Sequence, residues 1–163
     1  MKTRLLRAAL LTLSLVPVPA SAQKAVFLVR HAEKVDESDD AALSEAGLAR
    51  ARSLAEWLRS AGVSAIYTTR FQRTRNTAEP LARNLGISPR VVESGDSKEL
   101  VREIRERNAR DVVLVVGHSN TLPEILGAFG HPEPVVIASA EYDNLFVVVP
   151  HESGPPVVLR LRY

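Results

Sequence analysis

Two apolar runs that each end at a histidine constrain this chain more than any other feature. Val26-Phe27-Leu28-Val29 leads straight into Arg30-His31. Val112-Val113-Leu114-Val115-Val116 leads into Gly117-His118-Ser119. Short unbroken runs of bulky apolar residues, without polar alternation, read as strands buried on both faces. Strands of that kind lie in parallel sheets covered by helices, and ligands collect beyond their carboxyl ends. Two such strands deliver a histidine at the same end of the sheet.

The segments between them alternate. After a loop over residues 35–42, Leu43-Ser44-Glu45-Ala46-Gly47 opens a helix with Ser44 as N-cap, and Leu48, Ala51, Leu54, Ala55 and Leu58 recur at helical spacing. Trp57 on this helix reads as core or core edge. Ala65-Ile66-Tyr67 is a short strand. Thr77, Ala78, Leu81 and Leu85 mark the next helix, stopped by Gly86. Arg90-Val91-Val92 is a third short strand. Residues 98–108 form a helix with Leu100, Val101 and Ile104 inward and a solvated face of Glu and Arg. A helix from about Leu122 follows the second histidine, and residues 145–149 and 157–161 are strands joined by a Pro/Gly-rich turn. This order predicts a three-layer α/β/α sandwich around a mostly parallel sheet, with one domain over residues 23–163 and no internal repeat.

The first 22 residues stand apart. Lys2, Arg4 and Arg7 precede an apolar stretch, Leu5 to Val16, too short to span a bilayer with ease; Ala20-Ser21-Ala22 is a small-x-small cleavage site. This reads as a secretory signal peptide cut before Gln23, which implies a periplasmic or secreted protein with no stable membrane insertion after cleavage. An uncleaved anchor is the alternative. The chain has no cysteine, so a disulfide framework and thiol chemistry are excluded. The net charge of +2 is more than accounted for by the three cations of the leader. With scarce aromatics and no basic run, nucleic-acid binding is excluded as well.

Positive charge instead gathers at strand ends. An arginine beside His31 at the end of a buried strand implies an anion to meet it. Thr68-Thr69 leads into a helix start that carries Arg73, with Arg70 and Arg75 nearby, and helix N-termini favour anions. Arg30, Arg73, His31 and His118 would together grip a tetrahedral oxyanion, since the guanidinium fork meets phosphate oxygens in pairs. Neighbouring arginines hold an imidazole neutral and nucleophilic. The combination suits phosphoryl transfer through a phosphohistidine. No cofactor is implied, and nothing matches zinc-ligand spacing.

These segments resemble a known family. Val29-Arg30-His31-Ala32-Glu33-Lys34 resembles the Arg-His-Gly-Glu signature of the histidine phosphatase superfamily, which includes the phosphoglycerate mutases. Leu43-Ser44-Glu45-Ala46-Gly47 is similar to its Leu-Thr-x-x-Gly helix start. The stretch from Thr68 to Ala78 is similar to its Ser-Ser-x-x-x-Arg-x-x-Gln-Thr-Ala segment, and Val116-Gly117-His118-Ser119 to its Val-x-His-Gly/Ser.

The resemblance implies a phosphoglycerate mutase-like fold and a histidine acid phosphatase-type phosphoric monoester hydrolase. His31 would accept the phosphoryl group. Arg30 and Arg73 would hold it, His118 would complete the site, and Ser119 would touch substrate. A carboxylic acid would protonate the leaving oxygen: Glu93 is favoured by region, with Glu124 and Glu33 as alternatives. Ala32 replaces the family's glycine, and Arg70 stands where proline is frequent. The short chain leaves little room for long insertions, which implies an open site for a small phosphorylated substrate or a phosphoprotein.

Two other readings use the same residues. A phospho-ligand could be bound without turnover. Gly117-His118-Ser119-Asn120-Thr121 also brushes against the serine-hydrolase elbow, with Ser119 as nucleophile, but its last position is not glycine and only His131 or His151 could follow as base. Both are read as plain loop histidines, and Tyr142-Asp143-Asn144 as a turn, with contact at the site rim as the alternative.

Overall fold

The computed structural model describes residues 25–93, 95–151 and 154–163; the expected leader lies outside the described residues. Six strands and four helices alternate: β1 (Val26–Arg30), α1 (Glu45–Leu58), β2 (Val63–Thr69), α2 (Gln72–Leu85), β3 (Arg90–Val92), α3 (Ser97–Arg107), β4 (Val112–Gly117), α4 (Thr121–Phe129), β5 (Asn144–Val149) and β6 (Val157–Arg162). They form one sheet in the order β3-β2-β4-β1-β5-β6. The first four of these are mutually parallel, while β5 and β6 run antiparallel as a hairpin appended to β1. The expected α/β sandwich is therefore observed.

The buried strands feed both layers by alternation. Leu114 and Val116 of β4 join Val29, Leu54, Leu58 and Leu81 under α1 and α2. Val113 and Val115 point the other way, into Leu28, Tyr67, Leu100, Leu122 and Phe146 under α3 and α4. The chain leaves β1 and β2 towards the α1–α2 face but leaves β3 and β4 towards the α3–α4 face. Because β4 lies between β2 and β1, a crevice opens at their carboxyl ends, the topological switch point.

Local chemistry sets the helix ends. Ser44 caps α1, its Oγ accepting from the Gly47 amide at 3.1 Å. Gly86 ends α2 in the left-handed conformation at φ 67°. Two apolar expectations on α1 are corrected: Leu48 is 42% exposed and Trp57 is 55% exposed. The buried stripe of α1 begins with the small residues Gly47 and Ala51, which draw the helix close to the chain after β1. That approach leaves Leu48 at the mouth of a groove between α1 and α2, beside Arg52, Asn76 and Pro80. Trp57 stays on the flank, outside a stripe that has no room for an indole.

The tightest point of this approach is Gly47. A Cβ there would lie 2.3 Å from the Glu33 carbonyl oxygen, a backbone atom that cannot swing away. Gly47→Ala is expected to cost about 1–3 kcal/mol by overpacking, read as a lower midpoint in urea. A midpoint equal to that of the parent would show that α1 can move off the loop freely.

Candidate active site

The register of the central pair places the two histidines side by side. Arg30 pairs with Gly117 across β1 and β4, and the His31 amide donates to the Gly117 carbonyl at 2.9 Å. The rings follow with centroids 5.3 Å apart, edge to face at 63°. Both are buried, at 4% and 8% exposure. His31 Nδ1 lies 2.8 Å from the Ala32 carbonyl oxygen. A carbonyl only accepts, so Nδ1 carries the proton and Nε2 keeps its lone pair.

Burial and charge act on both rings in the same direction. Loss of solvation lowers the His31 pKa to about 3, helped by the adjacent His118, Arg30 and Arg73, while the Ala32 bond opposes. Burial followed by Arg73 and Arg30 lowers the His118 pKa to about 4. Both imidazoles are therefore neutral at physiological pH. His118 is held from two sides: Thr69 Oγ1 stands 3.2 Å from its Nε2, and its amide donates to Thr121 Oγ1 at 3.0 Å.

Arg30 is gripped by the loop that precedes β5. Its Nη1 donates to the carbonyls of Ala138, Ser139 and Glu141 at 3.3, 2.8 and 3.1 Å. The guanidinium carbon lies 4.0 Å from the centre of the Tyr142 ring, which in turn is 6.0 Å from the His31 ring. Tyr142 is thus a wall of the site rather than only part of a turn. Arg30 Nε is buried with no partner among the described residues. A buried donor without an acceptor is costly unless a ligand supplies one, so this atom fits an incoming oxyanion.

Arg73 approaches from α2. Its Nη1 donates to the Asp39 carbonyl at 2.7 Å, and its guanidinium carbon lies 4.1 Å from the Phe71 ring centre. Phe71 also meets His118 edge-on, at 5.5 Å. Arg73 and His118 line one cavity of about 280 Å³ with Phe71, Gly95, Asn120, Thr121 and Glu124. Arg30, His31, Arg73 and His118 thus lie together in one cup at one end of the sheet. The α2 N-terminus, however, is not open to a ligand at its first amide, because Asp40 Oδ1 accepts from Gln72 N at 2.7 Å. The chain supplies its own anion there.

The remaining sequence-predicted residues separate. Glu33 turns to α1, where Arg50 Nε and Nη2 hold its carboxylate at 2.7 to 3.0 Å. Fixed by that fork as a carboxylate, with its pKa lowered by Arg50 against the cost of burial, it does not serve as the acid of the cup. Glu93 is exposed at the end of β3, beside a crevice of about 20 Å³ whose lining includes Thr69, Gly117 and Thr121. Ser119 is half-buried in the turn after β4, and no hydrogen bond joins it to a histidine among the described residues, so the geometry of a serine nucleophile is not formed. Arg70 and Arg75 are exposed. Among the described residues, no group of three or more His, Asp or Glu is placed to hold a metal ion.

Phe71, Thr69 and Thr77 carry no site role in the sequence reading, which has Tyr142 as a turn residue with a place at the site rim as the alternative. Thr77 Oγ1 donates to the Arg73 carbonyl at 2.7 Å and accepts from the Ala32 amide at 2.9 Å, tying the His31 loop to the Arg73 helix. The signal that could have found it was its place one turn after Arg73. Tyr142 carried no spacing signal, because its contact with Arg30 spans more than a hundred residues.

Comparison with known proteins first gives a class. Residues 26–94 match the family described as the histidine phosphatase superfamily (branch 1), a span that holds Arg30, His31 and Arg73. Particular solved structures share the fold. The chain is similar to the protein histidine phosphatase SixA complexed with tungstate, at 20% identity over 85% of this chain and 96% of that chain, with a TM-score of 0.70. It is similar to YhfR of Bacillus stearothermophilus at 20% identity, over 84% and 96% of the two chains, with a TM-score of 0.69. It is also similar to phosphoserine phosphatase from Entamoeba histolytica in complex with 3-phosphoglyceric acid, at 13% identity over 86% and 97%, with a TM-score of 0.68. No curated protein sequence matches the chain.

The lowered histidine pKa values make stability depend on pH. The unfolded chain takes up these protons near pH 6.5, whereas the folded chain resists until about pH 3 to 4. Stability should therefore decline as pH falls below about 6.5, by up to ~1.4 kcal/mol per pH unit for each histidine. His118→Asn removes one of the two groups and should shallow that decline between pH 6 and 4, measured by urea unfolding. An unchanged slope would mean that His118 does not titrate abnormally.

Proposed function

We propose that this chain is a member of the histidine phosphatase superfamily and an exported phosphomonoesterase working through a phosphohistidine on His31. The observation that carries the reading is the pairing of a neutral, Nδ1-protonated His31 with a buried Arg30 Nε that has no partner among the described residues, and with Arg73 and His118 at the same sheet end. The family match over residues 26–94 and the phosphatases that share the fold support it.

The steps follow from the geometry. A phosphomonoester dianion enters the cup, where two guanidiniums and the His118 edge meet its oxygens. His31 Nε2 attacks phosphorus as a carboxylic acid at the rim, Glu93 or Glu124, protonates the departing oxygen. Water then attacks the phosphohistidine and phosphate leaves. The positive charge fixed around the equatorial oxygens supplies transition-state stabilisation without any metal. Substrates are small phosphorylated molecules or a phosphoprotein side chain. The leader read from residues 1–22 directs the enzyme to the periplasm or the exterior.

Turnover of p-nitrophenyl phosphate tests this directly. His31→Ala should lose at least about a thousandfold in kcat. Arg73→Lys should lose about a hundredfold in kcat/KM despite keeping its charge, because the planar fork is gone. Phosphate and vanadate should inhibit competitively, and chelators should have no effect. Tight phosphate binding with no turnover by the parent protein would instead identify a binding protein.

A further inference from the structure

We infer that β6 is a dimer interface, along which a second copy of this chain adds its own β6 antiparallel to the first and joins two sheets into one. The inference stands on the edge of the sheet and is independent of the reaction proposed above.

The two edges of the sheet are unlike. β3 is three residues long, whereas β6 has six and, among the described residues, pairs with β5 alone. One row of its backbone donors and acceptors is therefore open to another strand. Its side chains sort by face. The register sets Leu161, Leu159 and Val157 opposite Leu145, Val147 and Val149. Further in, α1 and α2 cover that face, and Leu145 joins the core of Leu54 and Leu58. Over β6 the cover stops: Val157, Leu159 and Leu161 are 41 to 50% exposed. The flank of α1 borders the same surface. Arg50 reaches from it to the Tyr163 carbonyl at 3.2 Å, and the exposed Trp57 stands about two turns further along the helix. Charged side chains protect many free edges from pairing, but here the exposed row is apolar.

The charges of β6 lie on its other face and are already neutralised. Arg160 and Arg162 both pair with Glu141, and Arg162 also with Asp143, so two cations meet two acids within one chain. Read antiparallel, the strand then matches itself. With Leu159 opposite Leu159 of the second copy, Val157 meets Leu161 and Val158 meets Arg160. Apolar faces apolar across the whole exposed row, and no arginine stands directly across from another. Centred one residue later, Arg160 would face its own copy; centred one earlier, Leu161 would run past the strand to Pro155. The contact is isologous and closes as a pair, leaving only the short β3 edges free. Because β6 runs parallel to β1, the two cups lie at opposite ends of the joined sheet and both stay open.

Sedimentation velocity tests the state and single thiols test the register. The full chain at about 50 µM should sediment at twice the chain mass and dissociate on dilution. Leu159→Lys should keep the urea midpoint of the dilute parent and weaken the dimer about a hundredfold or more. The chain has no cysteine, so an introduced thiol is unique. Leu159→Cys should be bridged to a dimer by dibromobimane on its own. Val157→Cys and Leu161→Cys should each bridge poorly alone, since like residues lie four steps out of register, about 14 Å at ~3.4 Å per residue, and should bridge well when mixed. A parent that stays monomeric, a dimer that survives Leu159→Lys, or bridging of Val157→Cys alone as efficient as that of Leu159→Cys would each overturn the inference.

Discussion

The parallel pairing of β1 with β4 is the contact on which the site depends. With Arg30 opposite Gly117, the next residue on each strand is a histidine, and the bond from His31 N to the Gly117 carbonyl extends the ladder by one step to hold both. A shift of one residue would turn every side chain of β1 to the other face. Both faces are apolar, so what opposes the shift is shape: Leu28 and Val29, each wholly buried on a different layer, would each have to fill a space packed for a side chain of another size. Close packing thus holds the register, and the register holds the two histidines side by side. Gly117 adds room: a Cβ there would press on the Thr121 hydroxyl at 3.0 Å and Leu122 at 3.2 Å, disturbing the turn that carries His118 into α4.

Around that register the chain arranges charge in two shells. The inner one is cationic, and its two imidazoles are kept neutral by burial and by the arginines themselves. The outer one is built of main-chain carbonyls that hold the arginines by their far ends. Three carbonyls of the pre-β5 loop take Arg30 Nη1, and Asp39 supplies a carbonyl to Arg73. The first of these loops is itself braced, since Glu141 accepts from the Ala138 amide at 2.8 Å and pairs with Arg160 and Arg162 of β6. The C-terminal hairpin therefore helps to fix the loop that holds Arg30.

The layers and the cup were legible in the sequence because they rest on short-range patterns. Unbroken apolar runs mark buried strands, Ser44 and Gly86 mark helix ends, and a histidine directly after a strand must sit at its end. The antiparallel seat of the C-terminal hairpin on β1 and the partners of each charged side chain were not legible in that way. Arg50 lies 17 residues from Glu33 and could as well have faced water; only the close approach of α1 at Gly47 brings them together. Tyr142 reads as a turn residue because its sequence neighbours, Asp143 and Asn144, favour turns. It is a site residue because the loop folds back across Arg30. Leu48 and Trp57 misled for the opposite reason: helical spacing reports which side of α1 is apolar, but not how far the small residues Gly47 and Ala51 let that side sink.

Neutral histidines have a consequence for what the cup recognises. With both imidazoles uncharged, the fixed charge at the sheet end is that of two guanidiniums, and a phosphomonoester dianion matches it in magnitude. Under the proposed function, substrate would give Arg30 Nε, a buried donor with no acceptor among the described residues, its partner. A dianion beside the rings would also oppose the burial and the cationic neighbours that lower the pKa of His31 and His118. Before attack, burial aided by those cations would keep the nucleophile's lone pair available, and after attack the positive phosphohistidine would be stabilised by the phosphoryl oxygens it carries. The cost of burying Arg30 and the two histidines beside the half-buried Arg73 would thus be offset when the ligand binds.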